Sequence, residues 1–216
     1  MKYETILFDL DGTITNPAEG ITTAVAYALD FYKNKYESKK ALEIFIGPPL
    51  REQFMQYCSV DKDVGEEYVK KYREYYADKG IYQNIVYDGI EEMLKTLKAN
   101  GKRIVLATSK PEKFAKIILD HFNLSAYFDF VAGALMSNSR TDKAEVIEYA
   151  LESIGNPKKD TVIMVGDRLH DVEGAAKCGI KTIGVTYGFG SKEELINAGA
   201  IITADNVQQL TALLSE

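Results

Sequence analysis

The chain has 216 residues, 46% hydrophobic and 27% charged, a balance that suits a globular protein with a full core, either one domain with a large insertion or two small ones. A net charge of −6 and the lack of any Lys/Arg block argue against a nucleic-acid polymer as partner, while leaving room for a small phosphorylated ligand at a local positive site. Cys58 and Cys178 stand in no Cys-x-x-Cys spacing, so a disulfide framework or cysteine metal site is not expected, and each reads as a small core hydrophobe. The opening "MKYETILFDL" has no signal-peptide pattern, and no run approaches the roughly 18 apolar residues of a membrane span, so a cytoplasmic protein without a membrane partner is expected.

In chain order, the first predicted element is a strand, "TILFD" from Thr5, that ends in Asp9 with Asp11 two residues on. Close carboxylates repel, and burying them is costly unless something compensates. The pair is therefore either a solvated turn, for which Asp and Gly are favoured, or a cation-holding site. From about Asn16 to Asn84 only helical patterns appear; in "VGEEYVKKYREYYADKG" the residues Val64, Tyr68, Tyr72, Tyr75 and Tyr76 recur at helical spacing, which reads as core packing. "DGIEEMLKTLKANG" predicts a helix with Asp88 as N-cap and Asn100-Gly101 at its end. A strand "RIVLATS" from Arg103 follows, then a helix "KPEKFAKIILDHF" with Pro111 near its first turn, and a shorter strand "FDFVAGA" from Phe128. "KAEVIEYALESIG" predicts a helix from Lys143 to Gly155, "TVIMVGD" a strand from Thr161, and "DVEGAAKCG" a helix ending at Gly179. Strands "KTIGVTY" from Lys181 and "AIITA" from Ala200 complete the pattern. Continuous apolar runs alternating with helices predict an α/β doubly wound parallel sheet, with an inserted α-helical segment.

Ligands of open α/β sheets bind outside the carboxyl ends of the strands. If these strands are parallel, their ends gather Asp9 and Asp11, Thr108 and Ser109 followed by Lys110, and Asp167 with Asp171. Four carboxylates in a partly dry cleft require a cation, and hard oxygen donors select magnesium or another hard divalent ion. A lysine and a hydroxyl beside it are what a phosphate needs.

These residues carry a family resemblance. "DLDGT" at Asp9, "LATSK" ending in Thr108-Ser109-Lys110, Lys143, and "GDRLHD" with Asp167 and Asp171 resemble, in order, the four motifs of the haloacid dehalogenase superfamily. "IGPPLREQF" and "GVTYGFGSKEELINAGA" look most like its phosphoglycolate phosphatase-like members. Two departures stand out: Ser109 where such phosphatases often carry Asn, and "RTDKAE" without the proline that often follows the lysine. The resemblance implies a Rossmann-like core over residues 1–15 and 85–216 and a helical cap over 16–84. It implies a magnesium-dependent phosphatase acting on a small phosphomonoester resembling phosphoglycolate, a nucleotide or a sugar phosphate.

In that scheme Asp9 is the nucleophile that forms an aspartyl phosphate, and Asp11 the general acid and base. Thr108 binds phosphate oxygens, and Lys143 is the counter-ion of Asp9, with Lys110 as the alternative. Asp9, the Asp11 backbone carbonyl and Asp167 hold magnesium, with Asp171 as direct or outer support. Gly12, Thr13, Gly47, Arg51, Ser109 and Lys110 contact substrate. The implied partner is a small phosphorylated metabolite and the implied assembly a monomer or weak homodimer.

Blander readings stand beside these. Thr108 and Ser109 can cap a helix, Lys143 can be a solvated first-turn residue, and Asp171 can be an N-cap only. His121 and His170 match no role, and Gly174 and Gly179 read as packing and cap positions. The rival enzyme is a phosphosugar mutase similar to β-phosphoglucomutase, which keeps the second aspartate. The rival of another class is a phosphoacceptor domain similar to a response-regulator receiver, against which the length, the insertion and the Asp-x-Asp spacing argue.

Overall fold

The computed structural model describes residues 3–136, Arg140 and residues 142–215. The chain forms two compact units, one of residues Met1–Asn16 with Val86–Glu216 and the other Pro17–Ile85.

The larger unit begins with β1 (Thr5–Phe8), all four residues buried, and the two-residue β2 (Thr15–Asn16). The chain then enters the helical unit, made of α1 (Ala18–Phe31), a 3₁₀ turn over Lys40–Phe45, α2 (Leu50–Cys58) and α3 (Lys62–Asp78). Its interior is aromatic. Phe45 and Phe54 lie 4.8 Å apart between ring centroids, Phe54 and Tyr68 5.2 Å, and Tyr72 stacks on Tyr76 at 5.2 Å. Such pairs add directional attraction to large buried areas. The expected stripe on α3 holds for Tyr68, Tyr72 and Tyr76, which are buried. Val64 departs from it. It sits in the first turn, where its N–H donates to the N-cap carboxylate of Asp61 at 2.9 Å, and its side chain is exposed.

The return passes through β3 (Ile85–Val86) into α4 (Ile90–Ala99). Here the expected cap is corrected: Gly89, at φ 86°, holds the N-cap position and no side chain bonds there, so Asp88 is one residue too early. Then follow β4 (Arg103–Pro111), α5 (Glu112–His121), β5 (Phe130–Ala134), α6 (Lys143–Ser153), β6 (Val162–Gly166), α7 (Leu169–Lys177), β7 (Lys181–Val185), α8 (Lys192–Ala198), β8 (Ile202–Ala204) and α9 (Val207–Ser215). Helix α7 starts two residues before the predicted Asp171 because "RLHD" already supplies its first turn.

Six strands form one parallel sheet in the order β5-β4-β1-β6-β7-β8. On one face Leu7, Val105, Ala107 and Met164 pack under Val146, Ile147, Ala150 and Leu151 of α6 and Ala175 of α7, with Cys178 in the same cluster. The residues that alternate with them, Ile6, Phe8, Leu106 and Val165, are equally buried. Burial on both faces is why these strands read as unbroken apolar runs rather than as alternation. The strand order reverses at β1, which lies between β4 and β6, and at such a switch point the connections diverge and leave a crevice at the carboxyl ends. Phe8 is in register with both Leu106 and Val165, so Asp9, Thr108 and Asp167 lie at nearly the same level toward the carboxyl ends of their strands.

Candidate active site

Asp9 immediately follows β1, and its backbone N–H extends the ladder to the Val165 carbonyl at 2.9 Å. Lys143, the first residue of α6, reaches beneath it: its Nζ is 2.6 Å from Asp9 Oδ1, 2.6 Å from Asp171 Oδ1 and donates to the Ala107 carbonyl at 3.0 Å. Its side chain is only 6% exposed, so the solvated first-turn reading does not describe this lysine. Burial alone would favour the neutral amine, but Asp171 and Asp9 outweigh it and hold the ammonium above its ordinary range. Gly174 of α7 permits this path, because a Cβ there would come within 2.7 Å of the Lys143 stem.

Lys110 makes a different pair. Its Nζ lies 2.5 Å from Asp11 Oδ2, and the two side chains are 5% and 13% exposed. Burial raises the Asp11 carboxyl above its usual range, and Lys110 offsets part of that rise. Thr108 is buried at the end of β4, where its Oγ1 accepts from the Lys110 N–H at 3.2 Å; Ser109 between them is half-buried. Neither hydroxyl caps α5, whose N-cap is Pro111 with no side-chain bond.

Asp167 is fully buried just past β6. Its Oδ2 accepts from the Phe189 N–H at 2.8 Å, and its Oδ1 has no hydrogen-bond partner among the described residues. Asp171 is the third residue of α7 rather than its N-cap; its Oδ2 accepts from the Arg168 N–H at 3.1 Å while its Oδ1 faces Lys143. Burial first, then Asp171 and Asp9, push the Asp167 carboxyl well above its ordinary range, and burial likewise raises Asp171 against the pull of Lys143. Gly12 stands at φ 88°, and a Cβ there would collide with the Asp167 carboxylate. Thr13 is buried in the turn that follows, where its N–H donates to the Leu10 carbonyl at 3.3 Å.

One carboxylate oxygen from each of Asp9, Asp167 and Asp171 lies within 4.8 Å of the others. A buried all-oxygen set with one orphaned oxygen fits a hard divalent cation, which would compensate the charges that burial opposes. Gly47 (φ 103°) and Arg51 lie in the helical unit; the Arg51 guanidinium pairs with neighbouring Glu52 at 2.5 Å.

Sequence reasoning cited the loop after β7 as a mark of the family but missed what its residues do. Tyr187 Oη donates to the Thr13 carbonyl at 3.0 Å, and Phe189 holds Asp167 through its backbone. It also missed Glu194, whose Oε1 accepts from both Arg168 Nε and the Leu169 N–H at 2.9 Å and so braces the start of α7. The glycines of "TYGFG" were the available signal.

The sequence model of the haloacid dehalogenase-like hydrolases matches residues 6–185. The chain belongs to that family and falls among its phosphatases. It is 44% identical over 195 residues to a 5'-nucleotidase of Pseudomonas aeruginosa, covering 90% of this chain and 88% of the other. It is 37% identical over 185 residues to the tyrosine-protein kinase PtkA of Mycobacterium tuberculosis, covering 86% of this chain and 62% of that one. A crystal structure of a predicted phosphatase from Clostridium acetobutylicum superposes with a TM-score of 0.96 at 46% identity, covering 99% of both chains. No helix among the described residues is long and apolar enough to cross a membrane.

Proposed function

We propose that this phosphatase hydrolyses a small phosphomonoester through an aspartyl phosphate on Asp9. The observation that carries the reading is the buried ammonium of Lys143 at 2.6 Å from Asp9, one residue beyond the central strand, with Asp11 two residues further on and paired to Lys110. Asp9 attacks phosphorus as the ester P–O bond breaks, and Asp11 gives its proton to the departing oxygen, releasing the alcohol. Asp11, now a carboxylate, takes a proton from water; the hydroxide oxygen attacks phosphorus, the Asp9–phosphorus bond breaks, and phosphate leaves with both side chains restored. The burial that raises the Asp11 carboxyl, against the pull of Lys110, supports its use as an acid. Thr108 binds phosphate oxygens with Ser109, Gly12 and Thr13 beside it, and Lys143 screens the approach of one anion to another. Asp9, the Asp11 backbone carbonyl and Asp167, supported by Asp171, would hold magnesium, which when bound neutralises charge on the carboxylates and the phosphate.

Nucleoside 5'-monophosphates are the first substrates to test, because a relative named as a 5'-nucleotidase is 44% identical over 90% of the chain. Purified protein with magnesium should release phosphate from members of a phosphomonoester panel and from a generic aryl phosphate, and chelation should remove the activity. A rate unchanged by chelation would exclude the metal; a panel with no turnover would exclude the hydrolase reading of this site.

The helical unit serves as the cap that selects substrate, with Gly47 and Arg51 as its contact residues; the family resemblance of "IGPPLREQF" supports this. Arg51 offers a fork of donors to a part of the substrate remote from the phosphate. Arg51→Ala should lower kcat/KM on the best panel substrate while barely changing that on a small aryl phosphate. Equal losses on both would indicate a folding defect, and no loss on either would return Arg51 to its surface pair with Glu52.

A further inference from the structure

We infer that Lys110 is a positioning residue for proton transfer, holding Asp11 by one oxygen so that the other handles the proton. The inference rests on the aspartyl-phosphate reading and gives Lys110 a task that reading does not require. Lys110 Nζ meets Asp11 Oδ2 at 2.5 Å beyond the paired strands β1 and β4, and both side chains are largely withdrawn from water. Asp11 Oδ1 is buried and has no hydrogen-bond partner among the described residues. A buried oxygen of that kind is costly unless it is used.

Both ends of the pair are tied to the sheet. Asp11 lies in the turn after β1, where the Gly12 N–H donates to the Thr15 carbonyl at 2.7 Å and the Ile14 N–H to the Leu10 carbonyl at 2.9 Å. The backbone of Lys110 is fixed by its bond to Thr108 Oγ1 at 3.2 Å. Lys143 is already engaged with Asp9, Asp171 and the Ala107 carbonyl. The two lysines therefore divide the site: one beneath the nucleophile, the other behind the acid. A general acid works only within hydrogen-bond reach of the oxygen it protonates, so an unanchored Asp11 would lose the proton-dependent part of the rate.

Leaving-group dependence isolates that part. An alkyl phosphate needs a proton on its departing oxygen, whereas dinitrophenyl phosphate does not. Values of kcat/KM on both esters are measured for the wild type, Lys110→Met, Lys110→Arg and Asp11→Asn, with melting temperatures as a folding control and acid-quench trapping of the phosphoenzyme. Lys110→Met should lose about two decades more on the alkyl ester than on the dinitrophenyl ester. Asp11→Asn should show the same bias more strongly, and Lys110→Arg, which keeps the cation, should recover part of the difference. Equal losses on the two esters, with a phosphoenzyme still trapped in the wild type, would overturn the role of Lys110 alone. A wild type that forms no phosphoenzyme would overturn the mechanism itself.

Discussion

Asp9→Asn should abolish turnover and phosphoenzyme formation, with a loss of roughly four to six decades in kcat. The amide keeps the shape of the carboxyl and removes the attacking charge. The backbone at this position is held independently, since the Asp9 N–H bonds the Val165 carbonyl and β1 lies between two parallel neighbours. Lys143 loses one of two carboxylate partners but keeps Asp171 at 2.6 Å and the Ala107 carbonyl at 3.0 Å. The variant should therefore fold, and its inactivity should be chemical. Asp11→Asn is the contrast: slow on ordinary esters, yet able to accumulate a phosphoenzyme from an activated one. Circular dichroism, steady-state rates and acid-quench trapping on both variants separate the roles. Appreciable turnover by folded Asp9→Asn would remove Asp9 as nucleophile and leave its carboxylate as a metal ligand only.

The parts of this fold that were legible in the sequence are those whose physics is local. Strands β1 and β6 are buried on both faces, so "ILF" and "VIMVG" are apolar without interruption, and each is followed at once by carboxylates that make no sense in a core. Where one residue decides an element's end, the sequence was ambiguous. Asp88 is the better cap by composition, yet the chain turns through Gly89 in the left-handed region and starts α4 one residue later. Val64 fits the helical period but falls in the first turn of α3, whose N-terminal end is exposed. Long-range pairings were the least legible. Phe189 grips Asp167 through a backbone N–H that any residue but proline would carry. Two lysines follow the motif hydroxyls in sequence or in space, and only distance tells them apart: Lys143 reaches Asp9 and Asp171, while Lys110 reaches Asp11.

That division of lysines gives Lys143→Met an effect larger than its activity alone. The substitution keeps much of the apolar stem, which packs on Gly174, and removes the ammonium. Asp9, Asp167 and Asp171 then share a buried space without the ammonium that had bridged Asp9 and Asp171. Breaking a buried ion pair by deleting one partner costs about 3 kcal/mol or more, so the chelated variant should melt well below the chelated wild type. A divalent cation binds only the folded site and stabilises it by mass action. With the competing ammonium gone, the carboxylates should bind magnesium more tightly, so magnesium should raise the melting temperature of Lys143→Met by more than that of the wild type. Activity should not follow. Restoring stability with metal does not return the charge that screens Asp9 from an anionic ester, and kcat/KM should stay down by about two decades or more even in saturating magnesium. A solvated lysine would give none of these three results. If Lys143→Met were nearly normal and Lys110→Met inactive on every ester, the two lysines would exchange roles, and the cation beneath the nucleophile would have to come from the end of β4 instead of the head of α6.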